Sequence, residues 1–180
     1  KIHLTGGEPL VRLRLAELVE RISKYYSGEL ALTTNGQLLP SLARSLKASG
    51  LTRVNVSIDS LDPETFEKMS RGGQLQRTLD GIDAALAEGL TPVKLNVTVN
   101  KGYNDNELLQ LADYGLRRNC EVRFLELMPI GCVQEEHNEL YFPTHQMRRI
   151  LEARYDFKPL PYALPASSRD FRVRDKGGLK

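Results

Sequence analysis

Residues 1–12, KIHLTGGEPLVR, gather the side chains and backbone most able to do chemistry. A short strand pattern runs into Gly6-Gly7-Glu8-Pro9. Two adjacent glycines let the backbone adopt positive φ and come close to a ligand, because no Cβ intervenes. Glu8 sets a carboxylate at the end of a strand, the edge where α/β sheets bind ligands. Pro9 suits the approach to a helix. Further along, Thr33, Ser57 and Met128 close or follow strand patterns, and Lys94 and Arg123 alternate with apolar residues. A cation turned inward is costly unless paired or bound to an anion. Two readings of Lys94 and Arg123 therefore stand: a structural pair with Glu126 or a neighbouring carboxylate, or a phosphate or carboxylate clamp. His3, on residue type alone, reads as a satisfied strand histidine. Met128 suits either a core or a ligand contact.

These positions need a fold that holds them. The chain has 180 residues, 41% hydrophobic and 27% charged, with a net charge of +2. That is one ordinary globular domain, and its charge makes no case for nucleic acid or a membrane surface as partner. No apolar run is long enough to span a bilayer. Cys120 and Cys132 form no disulfide framework and no CxxC or zinc spacing, so reduced thiols in a cytoplasmic protein are expected. Glu135-Glu136-His137 reads as a solvated loop, and no metal-ligand set is found. The first residues lie inside a strand pattern and the last are polar, so a piece of something longer is expected.

Strand and helix patterns alternate. Strands are expected at 1–5, 29–33, 52–58, 92–99 and 121–128. Helices are expected at 15–26, from about 39, after Asp62-Pro63, at 75–88, from 104–105 and at 144–153, the last with Thr144 as N-cap. Residues 129–143 read as a loop and 156–160 as a sixth strand or an edge piece. Strands joined by helical crossovers make a parallel sheet with helices outside. The fold class is α/β, an open or partial (β/α) barrel over residues 1–160. An irregular tail or linker is expected over 161–180.

The ordered segments KIHLTGGEPLVR, LTTNG, VNVSIDSLDPETF, PVKLNVTVNKGYND and VRFLELMP resemble the radical S-adenosylmethionine enzymes of molybdenum cofactor biosynthesis. That is the GTP 3′,8-cyclase (MoaA) family. The resemblance covers residues 1–129 and fades beyond 131. It implies an incomplete parallel (β/α)6 TIM-like barrel of the radical-SAM type, truncated at both ends. It implies S-adenosylmethionine as cofactor, at Gly7, Glu8, Ser57 and Met128, and GTP as substrate, at Lys1, His3, Thr33, Lys94 and Arg123. No residue here is assigned a catalytic role. His3 stands where the family usually has Arg, exchanging a fixed charge and several donors for a single donor. The family's [4Fe–4S] clusters use cysteines that neither Cys120 nor Cys132 matches, and those ligands are not in this chain. A homodimer is compatible with this reading. Two rivals stand beside it: a radical-SAM enzyme acting on another substrate such as a peptide, and a cluster-free binding or scaffold homologue.

Overall fold

A computed structural model describes residues 1–129, 137–161 and 169–177. Five strands form one sheet: β1 (Ile2–Leu4), β2 (Leu30–Thr34), β3 (Arg53–Ser57), β4 (Lys94–Val99) and β5 (Glu121–Glu126). They lie in sequence order, and every pairing is parallel. The crossovers are α1 (Leu15–Tyr25), α2 (Leu39–Ala48), α3 (Pro63–Ser70) with α4 (Leu75–Ala87), and α5 (Leu108–Arg117). This is the expected partial parallel barrel wall.

Period-two alternation decides which face of the sheet the helices cover. Leu30, Leu32, Val54, Val56 and Leu95 join the main core, together with Leu15 and Val19 of α1 and Leu39, Ala43 and Leu46 of α2. Val97 and Val99 join a second cluster with Leu108 and Leu111 of α5. Each fully buried Leu or Val contributes roughly 1.5–3 kcal/mol. The other face carries Thr33, Arg53, Asn55, Ser57, Lys94, Asn96 and Arg123. Close approach is needed on the helix side at Gly81, as at Gly115 of α5 against Val122. A Cβ added at Gly81 of α4 would lie 2.3 Å from the Gly36 carbonyl, so only glycine lets α4 reach the turn after β2.

Three boundaries differ from the sequence reading. The helix expected from 104–105 begins at Leu108, because Asn104 is taken by the preceding turn. Its side chain accepts from Asn100 N (2.8 Å) and donates to the carbonyls of Asp59 (2.6 Å) and Thr98 (2.9 Å). Such local side-chain bonds compete with helix formation. The loop expected over 129–143 contains a short helix, α6 (His137–Leu140). In α7 (Thr144–Arg154) Pro143 occupies the cap position, and Thr144 donates both its N–H and its hydroxyl to Glu126 instead.

The sixth strand, β6 (Tyr155–Pro159), pairs antiparallel with β7 (Phe171–Asp175) in a separate two-stranded sheet. The tail expected to be irregular thus contains a strand. Phe-Arg-Val-Arg-Asp alternates apolar and charged residues, and Phe171 meets Phe157 edge-on at 5.5 Å. Cys132, Glu135 and Glu136 lie outside the described residues. Among the described residues no helix is long and apolar enough to cross a membrane.

Candidate functional site

Parallel register sets the polar face in rows. His3 is level with Ala31, and Ala31 with Arg53. Thr33, Asn55, Lys94 and Glu121 form the next row, and Ser57, Asn96 and Arg123 the one after. Rows two residues apart are separated by about 6.6 Å along the strands. Five of the predicted residues, His3, Thr33, Ser57, Lys94 and Arg123, therefore share one face across three rows. They make a wall more than a rim. Lys1 lies at the other end of β1, paired with Glu29 at 3.1 Å. Met128 follows β5 and is 65% exposed.

Lys94 and Arg123 share one carboxylate. Lys94 Nζ is in direct contact with Glu121 Oε2, and Arg123 Nη2 is 3.9 Å from the same oxygen. The partner is Glu121, from the same strand and face as Arg123. Glu126 is occupied by Thr144. Arg123 Nε is buried and has no hydrogen-bond partner among the described residues. Two cations against one carboxylate leave net positive charge, which suits a bound anion.

At the opposite edge Arg53 is 2% exposed. It pairs with Glu29 at 3.0 Å and reaches Asn55. The Arg53 and Lys1 partners hold the Glu29 carboxyl well below its ordinary value, at about 2. His3 Nε2 lies 2.6 Å from Thr33 Oγ1 and 3.5 Å from Asn55 Nδ2. Arg53 and Asn55 were not singled out from sequence. The alternation in RVNVS places both on the polar face, but a neutral amide carries no chemical signature of its own.

The Gly-Gly turn is held from below. Glu8 accepts from Leu10 N (3.0 Å), Thr34 Oγ1 (2.7 Å) and Asn35 N (2.7 Å). Its carboxylate thus ties the turn after β1 to the end of β2, and the side chain is taken up in positioning. Gly6 has φ +154, and a Cβ built at Gly6 or Gly7 meets no atom within 4 Å. That open backbone fits close approach by a cofactor.

Beyond Ser57 the chain is pinned by the half-buried Asp59 and the buried Ser60 and Glu107. Asp59 accepts from Thr98 N at 2.7 Å. Glu107, 6% exposed, accepts from Ser60 Oγ (2.6 Å) and Leu61 N (2.8 Å). Burial pushes the Asp59 carboxyl up to about 6, against the Thr98 hydrogen bond that lowers it. A carboxyl whose folded pKa exceeds its unfolded value destabilises as it ionises. Stability is therefore lost as pH rises from about 4 to about 6, by roughly 1–3 kcal/mol. Asp59→Asn is expected to raise the urea midpoint at pH 7.5 and leave it little changed at pH 3.5.

Among the described residues no group of three or more His, Cys, Asp or Glu is placed to hold a metal. Cys120 is buried, and desolvation raises its thiol to about 11. The described residues do not supply a ligand set for an iron–sulfur cluster.

Residues 1–115 match the family described as the Radical SAM superfamily. A GTP 3′,8-cyclase of Rhizobium meliloti (strain 1021) is 41% identical over 182 residues, covering 99% of this chain and 52% of that protein. One from Hydrogenovibrio crunogenus is 52% identical over 132 residues, covering 73% of this chain and 40% of that protein. The chain spans about half the length of the curated relatives it matches. Coproporphyrinogen III oxidase of Escherichia coli, described as a radical SAM enzyme, superposes with a TM-score of 0.64 at 12% identity, over 84% of this chain and 38% of that one. A domain of pyruvate-formate lyase-activating enzyme from Bacteroides vulgatus gives 0.61 at 14% identity, over 83% and 88%. Those two likenesses concern the fold alone. With its five-stranded parallel wall, its open Gly-Gly turn after the first strand and this match over residues 1–115, the chain belongs to the radical SAM superfamily.

Proposed function

We propose that this chain is the nucleotide-facing wall of a GTP 3′,8-cyclase. The longer enzyme would convert GTP to a cyclic pyranopterin precursor intermediate in molybdenum cofactor biosynthesis. The observation that carries the reading is the register that sets Lys94 one row from Arg123 on a face lined by neutral polar side chains. The names of the relatives support it.

In this reading Lys94 and Arg123 hold the phosphates, and Arg123 Nε gains the acceptor it lacks. Binding to fixed cations orients the sugar and base before any reaction, which lowers the entropic part of the barrier. Thr33, His3 and Lys1 line the same wall further along. The open Gly7 backbone, Ser57 and Met128 would hold S-adenosylmethionine, with Glu8 acting on it only by bracing the turn. When bound beside a cluster, that cofactor supplies one-electron, hydrogen-abstracting chemistry. The cluster's ligands are not provided by Cys120, and no step is assigned to this chain's own thiols.

The test is anaerobic turnover of the longer enzyme with its cluster reconstituted. Release of 5′-deoxyadenosine is expected to depend on GTP, and the 180-residue chain alone is expected to release none. Release that is indifferent to GTP but stimulated by a peptide would favour the rival reading, which the neutral His3 motivates.

A further inference from the structure

The hydrogen bonds joining β3, β2 and β1 have a direction that can be worked out. Arg53 carries only N–H groups, so its Nη1 donates to Asn55 Oδ1 at 2.5 Å. That contact fixes which way round the Asn55 amide lies. Its oxygen faces Arg53, and its NH2 faces the other two residues. There Nδ2 donates to Thr33 Oγ1 at 3.2 Å and lies 3.5 Å from His3 Nε2. Thr33 Oγ1, having accepted one hydrogen bond, has its own hydrogen to give, and His3 Nε2 is 2.6 Å away. An amide NH2 and a hydroxyl hydrogen both face Nε2, and an acceptor at Nε2 satisfies both donors where an N–H there would oppose the amide. A neutral imidazole carries one N–H, which leaves the proton on Nδ1.

The charges nearby agree. His3 is exposed at the surface, and the partial burial of its ring is the first influence lowering its pKa, helped by Lys1, Arg53 and Arg123 and opposed by Glu29. Glu29 is itself matched by Lys1 at 3.1 Å and Arg53 at 3.0 Å. These influences, Glu29 excepted, all disfavour the charged ring.

We propose that Arg53 and Asn55 are positioning residues that lock His3 as its neutral Nδ1–H tautomer. This end of the polar face then meets its ligand with one neutral donor, suited to a carbonyl, hydroxyl or ring nitrogen. Anion binding is left to Lys94 and Arg123. The functional half of this statement rests on the nucleotide reading above. The tautomer itself does not.

The experiment is long-range 1H–15N correlation on the full chain carrying 15N-histidine, without nucleotide. The chain has three histidines, and His3→Gln identifies the signal. His3 is expected to show a protonated Nδ1 and a bare Nε2 at pH 7.5. Asn55→Asp sets an acceptor where the NH2 was, so the Thr33 hydroxyl turns away and Nε2 gains a proton. The expected result is a reversed tautomer and a His3 pKa raised by about one unit or more. Thr33→Val serves as a second variant, keeping the Asn55 amide, and is expected to reduce the Nδ1–H population without reversing it. A wild-type ring protonated at Nε2 overturns the proposal. So does a folded Asn55→Asp variant whose tautomer is unchanged. Because no nucleotide is present, failure of GTP to bind would count against the cyclase reading alone.

Discussion

Glu8→Ala is expected to lower the unfolding free energy by about 2–4 kcal/mol, and the melting temperature by about 4–16 °C. Glu8 accepts from three donors on two segments: Leu10 N, Thr34 Oγ1 and Asn35 N. An ionised acceptor makes each bond stronger than a neutral pair, and removing it leaves partly buried donors unsatisfied. Water can reach Asn35, which is exposed, so the cost stays below the sum of three buried losses. Glu8→Gln should be nearly as harmful, because one of its two terminal atoms becomes a donor facing another donor. Urea unfolding followed by circular dichroism reads both. A loss under about 0.5 kcal/mol would be ordinary for a surface site and would show the carboxylate free for a ligand.

The second large effect is a pair of opposite signs. Lys94→Ala is expected to weaken GTP binding by about 30-fold, the size of a charge-assisted hydrogen bond of about 2 kcal/mol. Glu121→Gln is expected to tighten it about 3- to 10-fold, on the order of 1 kcal/mol. The Glu121 carboxylate holds Lys94 and reaches Arg123, so an incoming phosphate must compete with it. Neutralising Glu121 removes the competitor and leaves both cations. Guanosine, which has no phosphate, should respond little to either change. Calorimetric titration checks the two signs, and added salt should shrink both effects. Two variants that move affinity in the same direction would show that Lys94 and Glu121 act only as a structural pair.

Much of the wall was legible from sequence, for a simple reason. Parallel sheets fed by helices need buried strands with one strict face, and Val-x-Val alternation in β3 and β4 declares that face. Lys94 and Arg123 then had to lie opposite it. Parity also held information that residue type obscured. Glu121 shares parity with Arg123 and so shares its face, whereas Glu126 does not. The partner of the two cations was thus readable from alternation, and Glu126 was drawn in only by its nearness in sequence.

Other features were not legible. Glu8 looked like a ligand contact because a carboxylate at a strand end is a common binding group. Only the long-range bonds to Thr34 and Asn35 reveal its bracing role. Asn55 depends on the direction of its amide, which Arg53 sets and which no spacing encodes. Asp59 gains its raised pKa from burial beside the C-terminal end of β4, a tertiary effect. The strand at Phe171–Asp175 follows a stretch of prolines and serines, whose turn chemistry masked the alternation behind it.

The nucleotide is proposed to lie on the polar face of the parallel sheet. Titrating GTP into the uniformly 15N-labelled chain and mapping the amide shifts tests it most directly. Saturable shifts centred on Thr33, Asn55, Lys94, Asn96 and Arg123 are expected, strongly reduced in Lys94→Ala. Shifts confined to β6 and β7, or to the helix-covered side of the sheet, would contradict it.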